Sequence, residues 1–253
     1  IMNKEIFNEL DKLLVYLSSK EKNIVLKALK LSEVAHSNQL RKSGDPFITH
    51  PIEVAKILTS IKLDGDSIAA GLLHDTIEDT KLVIEEIEHK FGNQISNLVQ
   101  GLTKISKYSL RVNNQKFGEN YKKLILATTQ DLRVILIKLA DRLHNMRTIN
   151  FINDINKKTN VALETLEVYS PLAQRLGMKE WQDELEDLSF EIINSDARKS
   201  IIDRLEYLKS KDDNIIDEIR YELKTIFIKE DLFCKIEGRI KSPFSIGIRL
   251  KIK

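Results

Sequence analysis

The chain reads as an all-α protein. Glycine and proline are sparse, nine and four in 253 residues, too few turn-formers for the many tight reversals of a sandwich or barrel. Apolar residues also recur at helical spacing along most of the length. The size suits one large or two modest domains with a real core. A formal net charge of +2, with acidic and basic residues interspersed, gives no argument for a nucleic-acid or membrane partner. One cysteine, Cys234, excludes an internal disulfide and fits a reducing cytosol, so a cytoplasmic protein is expected. Neither the apolar core of a signal peptide nor the ~20 apolar residues of a membrane span is seen.

Taken in order, Ile6, Phe7, Leu10, Leu13, Leu14 and Leu17 predict an amphipathic helix over about 3–17. Ser19 is a candidate cap for a second helix reaching about His36, with Lys22 where a capping box would need an acid. The segment 41–46, with Gly44 and Pro46, reads as a loop; Thr49 and Pro51 then suit the start of a helix through Leu58. Asp66 is the expected cap of the next helix. Short helices follow near 83–91, stopped by Gly92, and over 95–106; a loop at 113–118 precedes helical spacing over 119–129. Val134 to Ala140 is almost unbroken apolar sequence, a helix buried nearly all round. Charged amphipathic helices follow at 159–174, interrupted by Pro171 and Gly177, at 180–194 and at 197–227. Ile246, Ile248, Leu250 and Ile252 alternate with Gly247, Arg249, Lys251 and Lys253, which predicts a short strand at the tail.

Two stretches carry chemistry. The apolar run 68–73 passes into His74-Asp75-Thr76-Ile77-Glu78-Asp79 without a turn signal. A continuous helix would stack His74 over Glu78 and Asp75 over Asp79. The buried run 134–140 likewise ends on Asp141, which shares a helix face with Asn145 and Thr148. With His50 at the mouth of its own helix, the set His50, His74, Asp75 and Asp141 offers two imidazoles and two carboxylates. That mixed nitrogen and oxygen set suits a borderline or hard divalent ion, while zinc remains open. His36 and His89 read as ordinary core or surface histidines, and His144, between Arg142 and Arg147, as a supporting group.

The order H…HD…D at helix ends resembles the HD superfamily of metal-dependent phosphohydrolases. Further stretches sharpen this: Arg41-Lys42-Ser43-Gly44, Phe47-Ile48-Thr49-His50-Pro51, Leu72-Leu73-His74-Asp75-Thr76-Ile77-Glu78-Asp79-Thr80, and Ile137 to Thr148 resemble the Rel/SpoT family of alarmone enzymes. Pro171 to Gly177 and Glu184 to Leu188 continue the likeness, which spans roughly 20–194.

The resemblance implies an HD-domain helical bundle over 1–156 and a C-terminal helical extension over 157–253. It also implies manganese-dependent removal of the 3′-diphosphate of ppGpp and pppGpp. By motif position it makes His50, His74, Asp75 and Asp141 the ligands of one Mn2+, other divalent ions being possible. Glu78 and Asp79 become the catalytic acidic pair, and Arg41, Lys42, Asn145 and Thr148 the guanosine-nucleotide pocket. Gly238 to Ile246 resembles the opening of the family's synthetase domain, and the chain stops soon after, so no synthetase activity is expected of it. Two rival readings are an HD-type hydrolase of another nucleotide and a non-catalytic alarmone-binding protein.

Overall fold

A computed structural model describes residues 4–109, 131–211, 214–236 and 240–250. They are helical almost throughout; the β-type pairing among them is one antiparallel bridge between Leu40 and Pro46. The loop expected at 113–118 and the helix expected at 119–129 lie outside the described residues.

The helices, numbered in chain order, are α1 (Lys4–Leu13), α2 (Ser19–Ala35), α3 (Thr49–Ser60), α4 (Gly65–Leu73), α5 (Thr76–Asp79), α6 (Ile84–Phe91) and α7 (Asn93–Ser109). After the undescribed segment come α8 (Leu132–Arg147), α9 (Ile155–Glu164), α10 (Ser170–Arg175), α11 (Lys179–Ile193), α12 (Ser195–Lys211), α13 (Ile215–Lys229) and α14 (Pro243–Arg249). A π-helical turn, Thr165–Tyr169, joins α9 to α10.

The body is built around α4, in which every residue except Asp66 is buried. It packs against α2, α3, α7 and α8, as a helix apolar all round must. Gly71 permits the close crossing with α3: a Cβ there would stand 2.6 Å from Leu58 Cδ1. Leu29, Val54, Leu58, Ile68, Leu72, Val99, Ile137 and Leu143 fill the space between these helices. On the far side of α8, the turn Thr165–Tyr169 and α11 form a second layer. Ion pairs stitch it on, Arg142 to Glu164 at 2.7 Å and Arg147 to Glu184 at 2.6 Å. No helix among the described residues is long and apolar enough to cross a membrane.

The structure corrects several local expectations. The cap of α2 is Ser18, one residue before Ser19, and it forms a full capping box with Glu21. Asp64, not Asp66, caps α4, accepting from the Ser67 amide at 3.1 Å. Thr49 lies inside α3, its hydroxyl donating to the Pro46 carbonyl. The helix expected over 197–227 is two, α12 and α13, in keeping with the Asp212-Asp213-Asn214 run between them, residues that favour caps over helix interiors. The tail strand is also wrong: residues 243–249 are helix α14, capped by Ser242 and opened by Pro243. Gly247 lies against Phe190 and Ile201, while Phe244 meets Phe190 edge-on at 5.8 Å. Alternation over so few residues could not outweigh an N-cap, an N1 proline and an apolar dock.

Candidate metal centre and its cavity

Three helix ends and one helix face converge. His50 comes from the first turn of α3, His74 and Asp75 from the junction of α4 and α5, and Asp141 from α8. The run from core to acids is not the continuous helix expected; it breaks at His74 and Asp75. Side chains take the carbonyls that would continue it: His74 Nδ1 bonds Gly71 O at 2.7 Å, and the Thr76 hydroxyl donates to Leu73 O at 2.6 Å. The break turns Asp75 back towards the two histidines.

His50 Nε2 lies 3.2 Å from His74 Nε2, 3.2 Å from Asp141 Oδ1 and 3.5 Å from Asp75 Oδ2. His74 Nε2 lies 3.1 Å from Asp75 Oδ1 and 3.7 Å from Asp141 Oδ1. About 3 Å is the spacing of adjacent donors around an ion held at about 2.1 Å. His50, His74 and Asp141, all buried, therefore fit a divalent ion by distance and by donor type; Asp75 lies against both imidazoles but outside that three-residue group.

The supporting contacts point the same way. His74 Nδ1 must carry a proton to meet the Gly71 carbonyl, which aims Nε2 at the cluster, where a metal ion would take the place of the second ring proton. His144 Nδ1 sits 2.7 Å behind His50 Nδ1. Burial, aided by His50 and Arg41, drives His144 down to about 3, so it stays neutral. Burial also lowers His50, against the pull of Asp141. At His74 burial opposes charge too, but Asp75 and Asp141 outweigh it and raise the imidazole to about 10. Burial works to raise Asp141, yet the Lys138 ammonium and the two histidines hold its carboxyl well below 3.8. A divalent ion at this point would replace the proton that the carboxylates hold on His74.

A cavity of about 450 Å³ opens from this cluster, walled by Arg41, Lys42, Ser43, Asn145 and Thr148 and, on its apolar side, by Ile149, Phe151 and Ile152. Arg41 is half-buried, and its Nη2 lies 3.4 Å from Asn145 Oδ1 and 3.3 Å from Thr148 Oγ1. Asn145 Nδ2 in turn donates to Asp141 Oδ1 at 2.6 Å. Lys42 is exposed on the rim. Glu78 and Asp79 stand apart from this wall, exposed on α5. Partial burial, with the nearby Asp75 charge, raises the Asp79 carboxyl.

A family profile described as the HD domain matches residues 28–179, which contain the whole cluster. The chain belongs to the HD-domain family. A GTP pyrophosphokinase rsh from Brucella ovis is 44% identical over 218 residues, 86% of this chain and 29% of that protein. A guanosine-3′,5′-bis(diphosphate) 3′-pyrophosphohydrolase from Haemophilus influenzae is 40% identical over 87% of this chain and 32% of its own length. The bifunctional (p)ppGpp synthase/hydrolase SpoT of Escherichia coli K12 is 38% identical over 98% of this chain and 35% of its own. The chain thus spans about a third of the length of these relatives, and the Rel/SpoT likeness read from its motifs agrees with them.

Several residues at the HD site escaped sequence reading. Lys138 is hidden in an apolar run, and its Nζ bonds Asp141 Oδ2 at 2.8 Å; its place three residues before Asp141 was the available signal. Arg142 and Lys157 add cationic wall to the cavity. His36, read as an ordinary histidine, contacts Gln39, which reaches the acidic end of α5.

Proposed function

We propose that these residues form a manganese-dependent (p)ppGpp 3′-pyrophosphohydrolase, releasing GDP or GTP and pyrophosphate in the cytoplasm. The observation that carries this reading is the cluster itself, donor atoms of His50, His74 and Asp141 lying 3.2–3.7 Å apart with Asp75 beside both imidazoles, at the floor of a cavity with a cationic wall. His50, His74, Asp75 and Asp141 would hold the ion. The mixed donor set favours manganese over thiolate-seeking metals. A divalent ion bound there supplies Lewis acidity to a phosphoryl oxygen and lowers the pKa of a coordinated water.

The other roles follow from the side chains. Arg41 offers a planar fork of donors for phosphate or a flat face for a base, steadied by Asn145 and Thr148. Lys42, exposed and flexible, adds a point charge at the rim. Asp79, whose carboxyl is raised, is the group suited to take a proton from the attacking water, with Glu78 orienting it. Ile149, Phe151 and Ile152 give the purine an apolar surface. Residues 1–156 would be the hydrolase domain, and 157–253 a helical extension that braces it. The relatives named for synthesis are about three times as long, and we assign only hydrolysis to these residues.

The test is pyrophosphate release from ppGpp with Mn2+, compared with the same protein in chelator and with His74→Ala. Turnover confined to the metal-loaded wild type supports the reading; ppGpp left intact by the metal-loaded protein refutes it.

A further inference from the structure

α5 is a single turn of four residues, too short to be stable alone. Its amides at Glu78 and Asp79 bond the Asp75 carbonyl at 3.1 and 2.9 Å, so its pose sets where both acids stand relative to a proposed ligand. One side packs on α7. The other is reached by Gln39, whose Nε2 donates to the Asp79 carbonyl at 2.5 Å. A helix's last carbonyls lack partners of their own, and Gln39 supplies one across 40 residues of sequence.

Gln39 is itself held. A carbonyl can only accept, so the contact with Asp79 fixes which end of the Gln39 amide is nitrogen. The opposite end, Oε1, therefore meets His36 Nδ1 at 2.7 Å, and His36 must donate. The His36 ring stacks on Phe47 at 4.5 Å and 24°, and Phe47 stands edge-on to His50 at 6.2 Å. His36 is 2% exposed, and its Nε2 has no hydrogen-bond partner among the described residues. A buried nitrogen without a partner is a cost that a phenylalanine or leucine would avoid. The histidine is explained by its Nδ1 proton and its flat face.

We propose that Gln39, oriented by His36, is a positioning residue that fixes α5, and with it Glu78 and Asp79, against the metal-type cluster. The kinetic part rests on the hydrolase reading above; the structural part does not. Gln39→Ala deletes the tether, His36→Phe keeps the stacking but removes the donor, and His36→Asn restores a donor near Nδ1.

Two readouts separate the claims. Amide exchange at Glu78 and Asp79 needs no turnover: it quickens in Gln39→Ala and His36→Phe and returns towards wild type in His36→Asn. Unchanged exchange in Gln39→Ala overturns the proposal. With ppGpp and Mn2+, Gln39→Ala lowers kcat about tenfold, with KM and calorimetric Mn2+ affinity within about twofold of wild type. A parallel loss of Mn2+ affinity, or an unaltered kcat, also overturns it. If the wild type itself leaves ppGpp intact, the hydrolase reading fails and exchange alone decides. Should His36→Phe misfold, Gln39→Ala, at a half-buried position, decides.

Discussion

The cluster and the acidic pair, joined in sequence through His74 and Asp75, are opposites in construction. His50, His74 and Asp141 are buried, held from behind by His144, Gly71 and Lys138, and embedded where α3, α4 and α8 meet. Glu78 and Asp79 are exposed on one turn of helix. Binding an ion needs donors that cannot relax away from one another, and that demands a core. Moving a proton needs a carboxyl near water whose pKa is raised, and that demands a rim. The contrast teaches that one motif can be buried in the fold's foundation at His74 and exposed to solvent four residues later.

The largest effect should come from attacking the buried side. Asp141→Ala removes a buried carboxylate from its pair with the half-buried Lys138, and losing one member of a buried pair costs about 3–5 kcal/mol. Urea unfolding measures it; a loss below about 1 kcal/mol would break the contrast. Asp79→Asn should do the reverse, lowering turnover about 100-fold or more while leaving the thermal midpoint and Mn2+ affinity near wild type. A fall in Mn2+ affinity as large as that of His74→Ala would show that the two regions are not separable.

Mn2+ at about 100 times its dissociation constant should stabilise the wild type by about 2.7 kcal/mol, and His74→Ala should abolish that gain. Acid sharpens the comparison further. The Asp141 carboxyl lies below its ordinary 3.8 in the folded chain. Its contribution is therefore complete above that value and lost as pH falls towards the folded pKa. Acid titration of Asp141→Asn should show a shallower fall in stability below pH 3.8 than wild type. The smallest effects belong to the rim. Lys42→Ala should raise KM only about twofold, less than Arg41→Ala, whose guanidinium is half-buried and close to Asn145 and Thr148.

Much of this was legible in the residues alone. Periodicity found most helices, and apolar runs ending on His74 and Asp141 marked where a site would face a cavity. What escaped depended on contacts distant in sequence or on a choice between adjacent candidates. Ser18 and Asp64 lost to Ser19 and Asp66 because capping residues crowd both starts, and backbone geometry alone selects among them. The break at His74 and Asp75 was invisible because Thr76 is a β-branched residue with no turn signature, and its hydroxyl acts only once Leu73 is in place. Lys138 was masked by its apolar neighbours, and Gln39 by having its partner 40 residues away. The tail alternation misled because a strand and a one-sided helix differ little over seven residues.

The claim on which the rest depends is that His50, His74, Asp75 and Asp141 share one divalent ion. Anomalous diffraction at the manganese edge, from crystals grown with Mn2+, addresses it directly. The account predicts one strong peak between the four side chains, about 2.1 Å from His50 Nε2, His74 Nε2 and a carboxylate oxygen of each aspartate. The absence of a peak there, or a peak beyond bonding distance of His50 or Asp141, would contradict it.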